Sequence, residues 1–242
     1  MKKSFALLVV CMLVIGLLAG CGGGDKKPAA PAAPAADKKV FVNIATGGTA
    51  GVYYPLGGAM AEIFNKNIPG MNASAQSTGA SVANINLIKD GKVEVALVQN
   101  DIAYYAANGT EMFKDKKVEA IQGIASLYNE TIQIVTIEGK GIKTVADLKG
   151  KRVAVGALGS GTEANARQIM EIFGITYADI KPQYLSFGEA ANGLKDGNID
   201  VAFVTAGAPT AAIQDIAAQH KVALVSIPAD KAEALIKKYP FY

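Results

Sequence analysis

The sequence predicts an α/β protein built from two similar lobes. A ten-residue phrase occurs twice: residues 89–98 read KDGKVEVALV and residues 195–204 read KDGNIDVAFV, with six identical positions and three conservative exchanges. Each copy follows a helical pattern, and its glycine suits a left-handed helix cap before a buried strand. Strand and helix patterns also alternate along residues 40–238, which is typical of largely parallel sheets. A helix, a glycine and a strand in this order are common in α/β proteins, so the repeated phrase alone could be a chance likeness. The prediction therefore depends largely on the alternation of strand and helix patterns.

The first lobe is predicted at residues 40–131. Its elements are strand 40–45, turn 46–51, helix 55–66, strand 72–76, turn 77–81, helix 82–89, the first repeat strand and helix 101–107. Pro55 suits the first position of a helix. Because proline disfavours the helical conformation at the residue before it, residues 52–54 are expected to be extended.

The second lobe is predicted at residues 132–242, and the β-branched run at 131–137 is expected to be the strand that crosses into it. The following elements are a capped turn of helix at 144–147, strand 152–156, turn 157–161, helix 162–173, strand 183–185, helix 189–195, the second repeat strand, helix 211–219, strand 223–227 and helix 231–238. The order of the first lobe is thus nearly repeated. Since ligands of α/β sheets bind at the carboxyl ends of strands, a ligand cleft between the lobes is expected.

The first residues are predicted to be a signal peptide spanning 1–20. Lys2 and Lys3 precede an apolar stretch at 5–19 that is short for a membrane span, and small residues precede Cys21. This pattern resembles the bacterial lipoprotein box, which implies lipidation of Cys21. The protein is therefore expected to be exported and lipid-anchored at the periplasmic or extracellular face of the cell membrane. The alternative is an ordinary cleaved signal with a chance cysteine.

Residues 21–39 are predicted to be the lipidated cysteine and a tether rich in alanine and proline, which cannot form a core. Cleavage would leave Cys21 as the only cysteine, so no intramolecular disulfide is expected. It would also leave 22 Lys and Arg against 21 acidic residues. This near-balance argues against a nucleic-acid partner.

The sequence gives little support to an enzyme. His220 is the only histidine, and no nucleophile elbow, phosphate-binding loop or zinc spacing is present. Asp101, Glu163 and Glu189 lie at predicted element ends, where helix capping and helix dipoles explain acidic residues. We therefore expect no catalytic residues, no metal and no cofactor.

Binding is better supported, because four turns rich in Gly, Ser and Thr lie between a strand and a helix. Helix N-termini offer unpaired N–H groups that suit a carboxylate or phosphate. Ser160 and Ser186 fit such a role, although both also fit simple capping boxes. Tyr53 and Tyr54 lie in a glycine-rich stretch, and at least one is expected to contact ligand. Arg167 either supplies positive charge to the site or faces solvent.

Several motifs are similar to those of the TAXI family of solute receptors, which serve TRAP transporters. They are G-G-T-x-G-x-Y-Y-P-L-G-G at 47–58, A-L-V-Q-N-D at 96–101 and G-S-G-T-E at 159–163, and the resemblance covers residues 39–242. It implies a type II periplasmic-binding-protein fold, with a hinge and a cleft that closes on a small solute. It also implies a carboxylate or amino acid ligand, such as glutamate or glutamine, and delivery to a TRAP-type membrane subunit.

The resemblance implies thirteen ligand contacts, which are Gly48, Thr49, Tyr53, Tyr54, Thr78, Ser81, Gln99, Ser160, Gly161, Thr162, Thr205, Ala206 and Pro209. On this basis, Tyr54→Ala or Thr49→Ala is expected to weaken solute binding. The residues are also compatible with two other functions. One is a sensor that presents its ligand to a membrane signalling protein, and the other, with less support, is an enzyme on the same fold.

Receptors of this family usually continue well beyond this length, and their chains cross back to complete the first lobe. A C-terminal return to the first lobe is therefore expected to be missing from this sequence. If so, the first lobe should expose apolar surface.

Overall fold

A computed structural model of the protein describes residues 39–242. The predicted signal peptide, Cys21 and all of the tether except residue 39 lie outside the described residues. Within residues 39–242 the strands form two separate sheets, one of three strands in the order β2-β1-β3 and one of five strands in the order β6-β5-β7-β4-β8. The prediction of an α/β fold is thereby confirmed.

The first sheet is entirely parallel. Its elements are β1 (Val40–Ala45), α1 (Tyr53–Asn67), β2 (Met71–Gln76), α2 (Ser81–Lys89), β3 (Val95–Ala96) and α3 (Asn100–Asn108). Ile44, Ala61 and Ala73 form a small core between the sheet and α1. A second cluster around Ile85 and Ile102 joins α2 to α3.

The second sheet contains the same parallel arrangement and extends it. Its elements are β4 (Thr131–Ile137), β5 (Arg152–Ala154), α4 (Gly161–Ile172), β6 (Lys181–Gln183), α5 (Phe187–Lys195), β7 (Val201–Ala206), α6 (Ala211–Ala217), β8 (Val222–Leu224) and α7 (Ala229–Lys238). The parallel order β6-β5-β7 corresponds to β2-β1-β3, and β4 pairs antiparallel with both β7 and β8. Phe203 and Val204 of β7 point into different core clusters, so this sheet is covered on both faces.

The repeated phrase forms the same local structure in both lobes. Gly91 and Gly197 have φ of +65° and +72°, which confirms the predicted left-handed caps. Glu94 accepts a 2.7 Å hydrogen bond from the backbone N–H of Asn43 on β1, and Asp200 accepts a 2.9 Å bond from that of Arg152 on β5. The acidic position of the phrase thus ties each repeat strand to the central parallel strand beside it.

The two repeat strands differ in burial. All six residues of β7 are buried, as expected for a strand covered on both faces. Its counterpart β3 has only two residues, and both are partly exposed. The prediction of a strand covered on both faces therefore holds for the second copy alone.

The start of α1 corrects one prediction. Residues 52–54 are not extended: Val52 has φ −79° and ψ −31°, and its carbonyl accepts from the N–H of Leu56 at 3.2 Å. Pro55 still lies in the first turn, where an N–H has no partner within the helix and its absence costs little. The bias of Tyr54 away from the helical region is a preference, and the helix that packs on Ile44 and Ala73 overrides it.

Residues 109–130 connect the two sheets and contain one short 3-10 helix, Glu111–Phe113. Apolar surface is exposed on the first lobe at Val40, Phe41 and Ile63, as expected. It is not confined to that lobe, because Leu224 is also exposed. None of the helices found in residues 39–242 is both long enough and apolar enough to cross a membrane.

Candidate functional site

A small cavity of about 50 Å³, partly open to solvent, lies where the two sheets face each other. The turns that follow β1, β2 and β3 line one side, and the turns that follow β5 and β6, with the last two residues of β7, line the other. Eight of the predicted contacts line it: Gly48, Tyr53, Thr78, Gln99, Ser160, Thr162, Thr205 and Ala206. The carboxyl ends of six parallel strands therefore share one cavity.

Five helices begin at this cavity. Its lining includes the residues directly before the first turns of α1 to α5, namely Val52, Ala80, Gln99, Ser160 and Ser186. Each helix start carries unpaired N–H groups and a partial positive charge. The site therefore has an electrostatic preference for an anionic group, although no basic side chain among the described residues lines it.

The other five predicted contacts do not line the cavity. Thr49 and Pro209 are exposed, and Tyr54 faces a shallow groove on the outer side of α1 with 37% of its surface exposed. Ser81 and Gly161 are buried beside Gln99. Ser81 accepts a 3.1 Å hydrogen bond from the backbone N–H of Gln99 and so positions that residue.

Ser160 and Ser186 both cap helices and line the cavity. Ser160 accepts from the N–H of Glu163 at 3.1 Å, and Ser186 accepts from Glu189 at 3.4 Å. The Ser186 hydroxyl also donates to the Glu189 carboxylate at 2.7 Å. The hydroxyl of Ser160 only accepts in its cap, so it can still donate a hydrogen bond to a ligand. The hydroxyl proton of Ser186 is already donated to Glu189.

The turns of the two lobes approach each other closely around the cavity. The backbone N–H of Ala83 donates to the carbonyl of Gly159 at 3.0 Å.

Glycines face the opposite lobe where the turns meet. Gly48 and Gly51 face Ser186 and Phe187, and a Cβ at Gly51 would lie only 3.3 Å from the ring of Phe187. A Cβ at Gly161 would overlap the side-chain amide of Gln99. Glycine therefore permits this close approach of the lobes.

A buried hydrogen-bond network joins the lobes behind the cavity. Gln99 donates to Asn165 at 2.7 Å, and Asn165 donates to Asp101 at 2.9 Å and to the Tyr242 hydroxyl at 2.8 Å. Thr205 donates to Asn165 at 3.1 Å. Burial raises the pKa of Asp101, and the hydrogen bond from Asn165 opposes that shift. Asp101 is therefore part of an interlobe network as well as a residue of the first turn of α3.

Glu130 is a cavity residue that sequence reasoning missed. It lies directly before β4, where the hydroxyls of Tyr53 and Tyr128 donate to its carboxylate at 3.0 and 3.4 Å. Burial raises the pKa of Glu130 to about 7. Burial also raises the pKa of Tyr53 well above its usual value, and the nearby carboxylate adds to the shift. The sequence around Glu130 has no helix or strand periodicity. Its position directly before the predicted strand at 131–137 was the one feature that could have pointed to it.

Arg167 does not line the cavity. Its guanidinium lies 3.8 Å from the Glu111 carboxylate and 3.9 Å from that of Glu163, on the outer side of α4. Among residues 39–242, no group of three or more His, Cys, Asp or Glu side chains is arranged to hold a metal ion.

The model of the NMT1-like family matches residues 44–242, which is most of the chain. The chain belongs to the NMT1-like family. This NMT1-like protein is also 37% identical, over 67 residues, to an Escherichia coli (strain K12) protein named for binding aliphatic sulfonates. That stretch makes up 28% of this chain and 21% of the relative.

Solved structures resemble the NMT1-like chain at low sequence identity. The alkanesulfonate-binding protein from Xanthomonas axonopodis pv. citri bound to MOPS is 18% identical with a TM-score of 0.53, and the match covers 79% of this chain and 62% of that one. An ancestral arginine-binding protein bound to arginine is also 18% identical, with a TM-score of 0.52 and coverage of 84% and 91%. The chain thus spans less than two thirds of the Xanthomonas protein. The two-lobe fold of periplasmic binding proteins, expected from the sequence, is confirmed.

Proposed function

We propose that this NMT1-like protein is an exported receptor that binds a small organic anion between its two lobes. The observation that carries the proposal is the convergence of five helix starts, from both lobes, on one cavity. Backbone N–H groups at helix starts bind carboxylate, sulfonate or phosphate without a basic side chain. A ligand that contacts both sets of turns stabilises the closed arrangement of the lobes.

In this proposal, different cavity residues bind different parts of the solute. The N–H groups at the starts of α2 and α4, with the hydroxyls of Ser160 and Thr162, hold the anionic group. Tyr53 packs against the body of the solute, because its ring lies in the cavity wall. Gln99 lies at the meeting point of the lobes, so its position reports whether the cleft is closed.

We further propose that the solute is a glutamate-like amino acid or another small carboxylate. The lipid-anchored receptor would deliver it to a TRAP-type membrane subunit. The motif at residues 47–58 supports the TRAP assignment. The names of the relatives, which refer to sulfonates and arginine, favour small charged solutes in general. The sequence around Cys21 supports a lipid anchor.

Calorimetric titration with L-glutamate, L-glutamine and taurine tests the binding function. At least one of these should bind, and Gly161→Ala should weaken that binding about tenfold, because its methyl group would push Gln99 out of the closed interface. The matched control is Gly58→Ala, since Gly58 lies in α1 with open space around its Cβ position. Absence of binding by all three probes, or equal affinity in Gly161→Ala and the wild type, would contradict the proposed site.

Delivery to a TRAP-type transporter needs a separate test. Deleting the gene in its native cell should abolish uptake of the bound solute, and that uptake should stop when the ion gradient is collapsed. Uptake that persists without the gene would reject the delivery role and leave the binding function intact.

A further inference from the structure

Glu130 has the one formally charged side chain among the described residues that line the cavity. It enters from the connecting segment, next to the first residue of β4. None of the ion pairs formed within residues 39–242 includes it. A carboxylate without a cationic partner therefore lies in the wall of a site whose helix starts attract anions.

The immediate surroundings of Glu130 leave it able to accept more hydrogen bonds. Tyr53 from α1 and Tyr128 from the connecting segment each donate one bond, to different carboxylate oxygens. An ionised carboxylate offers about four acceptor positions, so about two stay open. The phenol oxygens can also accept, which gives the corner formed by these three residues several acceptors and no basic group.

An ammonium group has three donors and a positive charge, which match this corner. In a partly buried site, a charge-assisted hydrogen bond is stronger than a neutral one. A hydroxyl at the same place could donate one bond but could not neutralise the carboxylate. The corner should therefore distinguish an amine from a hydroxyl on otherwise identical solutes.

We propose that Glu130 is a specificity residue of this site: its carboxylate, framed by Tyr53 and Tyr128, binds an ammonium group of the ligand, so that the receptor selects zwitterionic solutes over the corresponding hydroxy compounds. This inference rests on the proposed receptor function and refines its ligand class. The anionic end of the solute is held by the helix starts, and the ammonium end by Glu130.

The titration of Glu130 provides an independent readout. Three titratable groups act on it, namely the phenols of Tyr53 and Tyr128 and the carboxylate of Asp101, and burial is the largest cause of its raised pKa. Because that pKa is about 7, the empty site is partly protonated at neutral pH. A bound ammonium favours the ionised form, so binding of an aminated solute should release a proton at pH 6–7 and should strengthen as the pH rises through this range.

Two matched pairs of probes differ only in an ammonium or a hydroxyl: taurine with isethionate, and L-glutamate with L-2-hydroxyglutarate. By calorimetry, the wild type should prefer the aminated member of a pair by roughly tenfold or more. Glu130→Gln should remove this preference by weakening the aminated member and should leave the hydroxy member nearly unchanged. Titration in buffers with different ionisation enthalpies should detect proton release in the wild type and none in Glu130→Gln. Glu138→Gln, an exposed change at the other end of β4, is the control.

The outcomes separate this inference from the function on which it rests. Binding of the hydroxy members as tightly as the aminated ones would reject the role of Glu130 while the receptor function stands. Equal weakening of both members by Glu130→Gln would also reject it, since that pattern indicates a purely structural role. If none of the four probes binds the wild type, the proposed receptor function fails for this ligand class and the role of Glu130 fails with it.

Discussion

The side-chain amide of Gln99 donates a 2.7 Å hydrogen bond to Asn165, and this bond crosses from the first lobe to the second. Both residues are almost fully buried, with 8% and 2% of their surfaces exposed. Asn165 also donates to the buried carboxylate of Asp101. The contact between the lobes behind the cavity therefore includes a buried polar network, in which the Asn165 amide bonds to several partners.

Asn165→Ala should lower the free energy of unfolding by about 2 kcal/mol, because buried Gln99 and Asp101 would each lose a partner. Since the hydrogen bond from Asn165 lowers the pKa of Asp101, its loss should raise that pKa further. Chemical denaturation measures the stability change, with Asn192→Ala as the control on the exposed face of α5. A loss of equal size in both variants would contradict the importance of the network.

Tyr53→Ala and Tyr54→Ala should differ sharply although the residues are neighbours. The ring of Tyr53 lines the cavity, whereas Tyr54 faces the outer groove of α1. We expect Tyr53→Ala to weaken solute affinity about tenfold and Tyr54→Ala to change it little, since the latter loses no cavity contact. Calorimetry with the tightest-binding probe measures both. The sequence-based expectation named both tyrosines as ligand contacts, and weaker binding in Tyr54→Ala alone would contradict the assignment made from the structure.

Ala80→Gly should stabilise the protein by about 1 kcal/mol. Ala80 precedes α2 with φ 69° and ψ −148°, a region that only glycine adopts without strain. Thermal and chemical denaturation measure the gain. Ala59→Gly in the exposed middle of α1 is the contrasting change and should destabilise, because glycine is unfavourable within a helix. Destabilisation of both variants would show that Ala80 is unstrained.

Glu130 should make the ligand-free protein less stable as the pH rises. The folded protein holds a proton on Glu130 up to a pKa of about 7, whereas the unfolded chain releases it near 4.5. The free energy of unfolding should therefore fall between these pH values, by at most about 3 kcal/mol. Glu130→Gln should flatten this part of the pH profile, and Glu138→Gln should keep it. An unchanged slope in Glu130→Gln would place the cause elsewhere.

Asp200 should make the protein less stable as the pH falls, which is the opposite of the pH dependence expected for Glu130. The hydrogen bonds from the Arg152 guanidinium lower the pKa of Asp200 from 3.8 to about 2. Its stabilisation is therefore complete above the unfolded pKa and is lost as the pH falls from about 4 to 2. Asp200→Asn should cost about 1–2 kcal/mol at pH 7, allowing for the partial exposure of Arg152, and clearly less at pH 2, where about half of the folded molecules carry a protonated Asp200. Denaturation at both pH values measures this, and Asp196→Asn, at an exposed residue, is the control.

Local sequence pattern was sufficient for much of the fold. The run at 131–137 was predicted as a strand with the bounds that β4 has. The glycine caps of the repeated phrase were also predicted, because a left-handed cap is a local requirement for glycine. The start of α1 was wrong by two residues, since a local proline rule was applied where helix packing decides.

The sequence by itself determined that two strand–helix units of similar build would each present glycine-rich turns at the ends of their strands. Only the tertiary structure decided which side chains meet there. It directs Tyr53 into the cavity and Tyr54 away from it, and it brings Glu130 from an irregular segment into the cavity wall. The reason is physical: strand and helix patterns arise from neighbours a few residues apart, whereas Tyr53 and Glu130 are 77 residues apart and come together only when the chain folds.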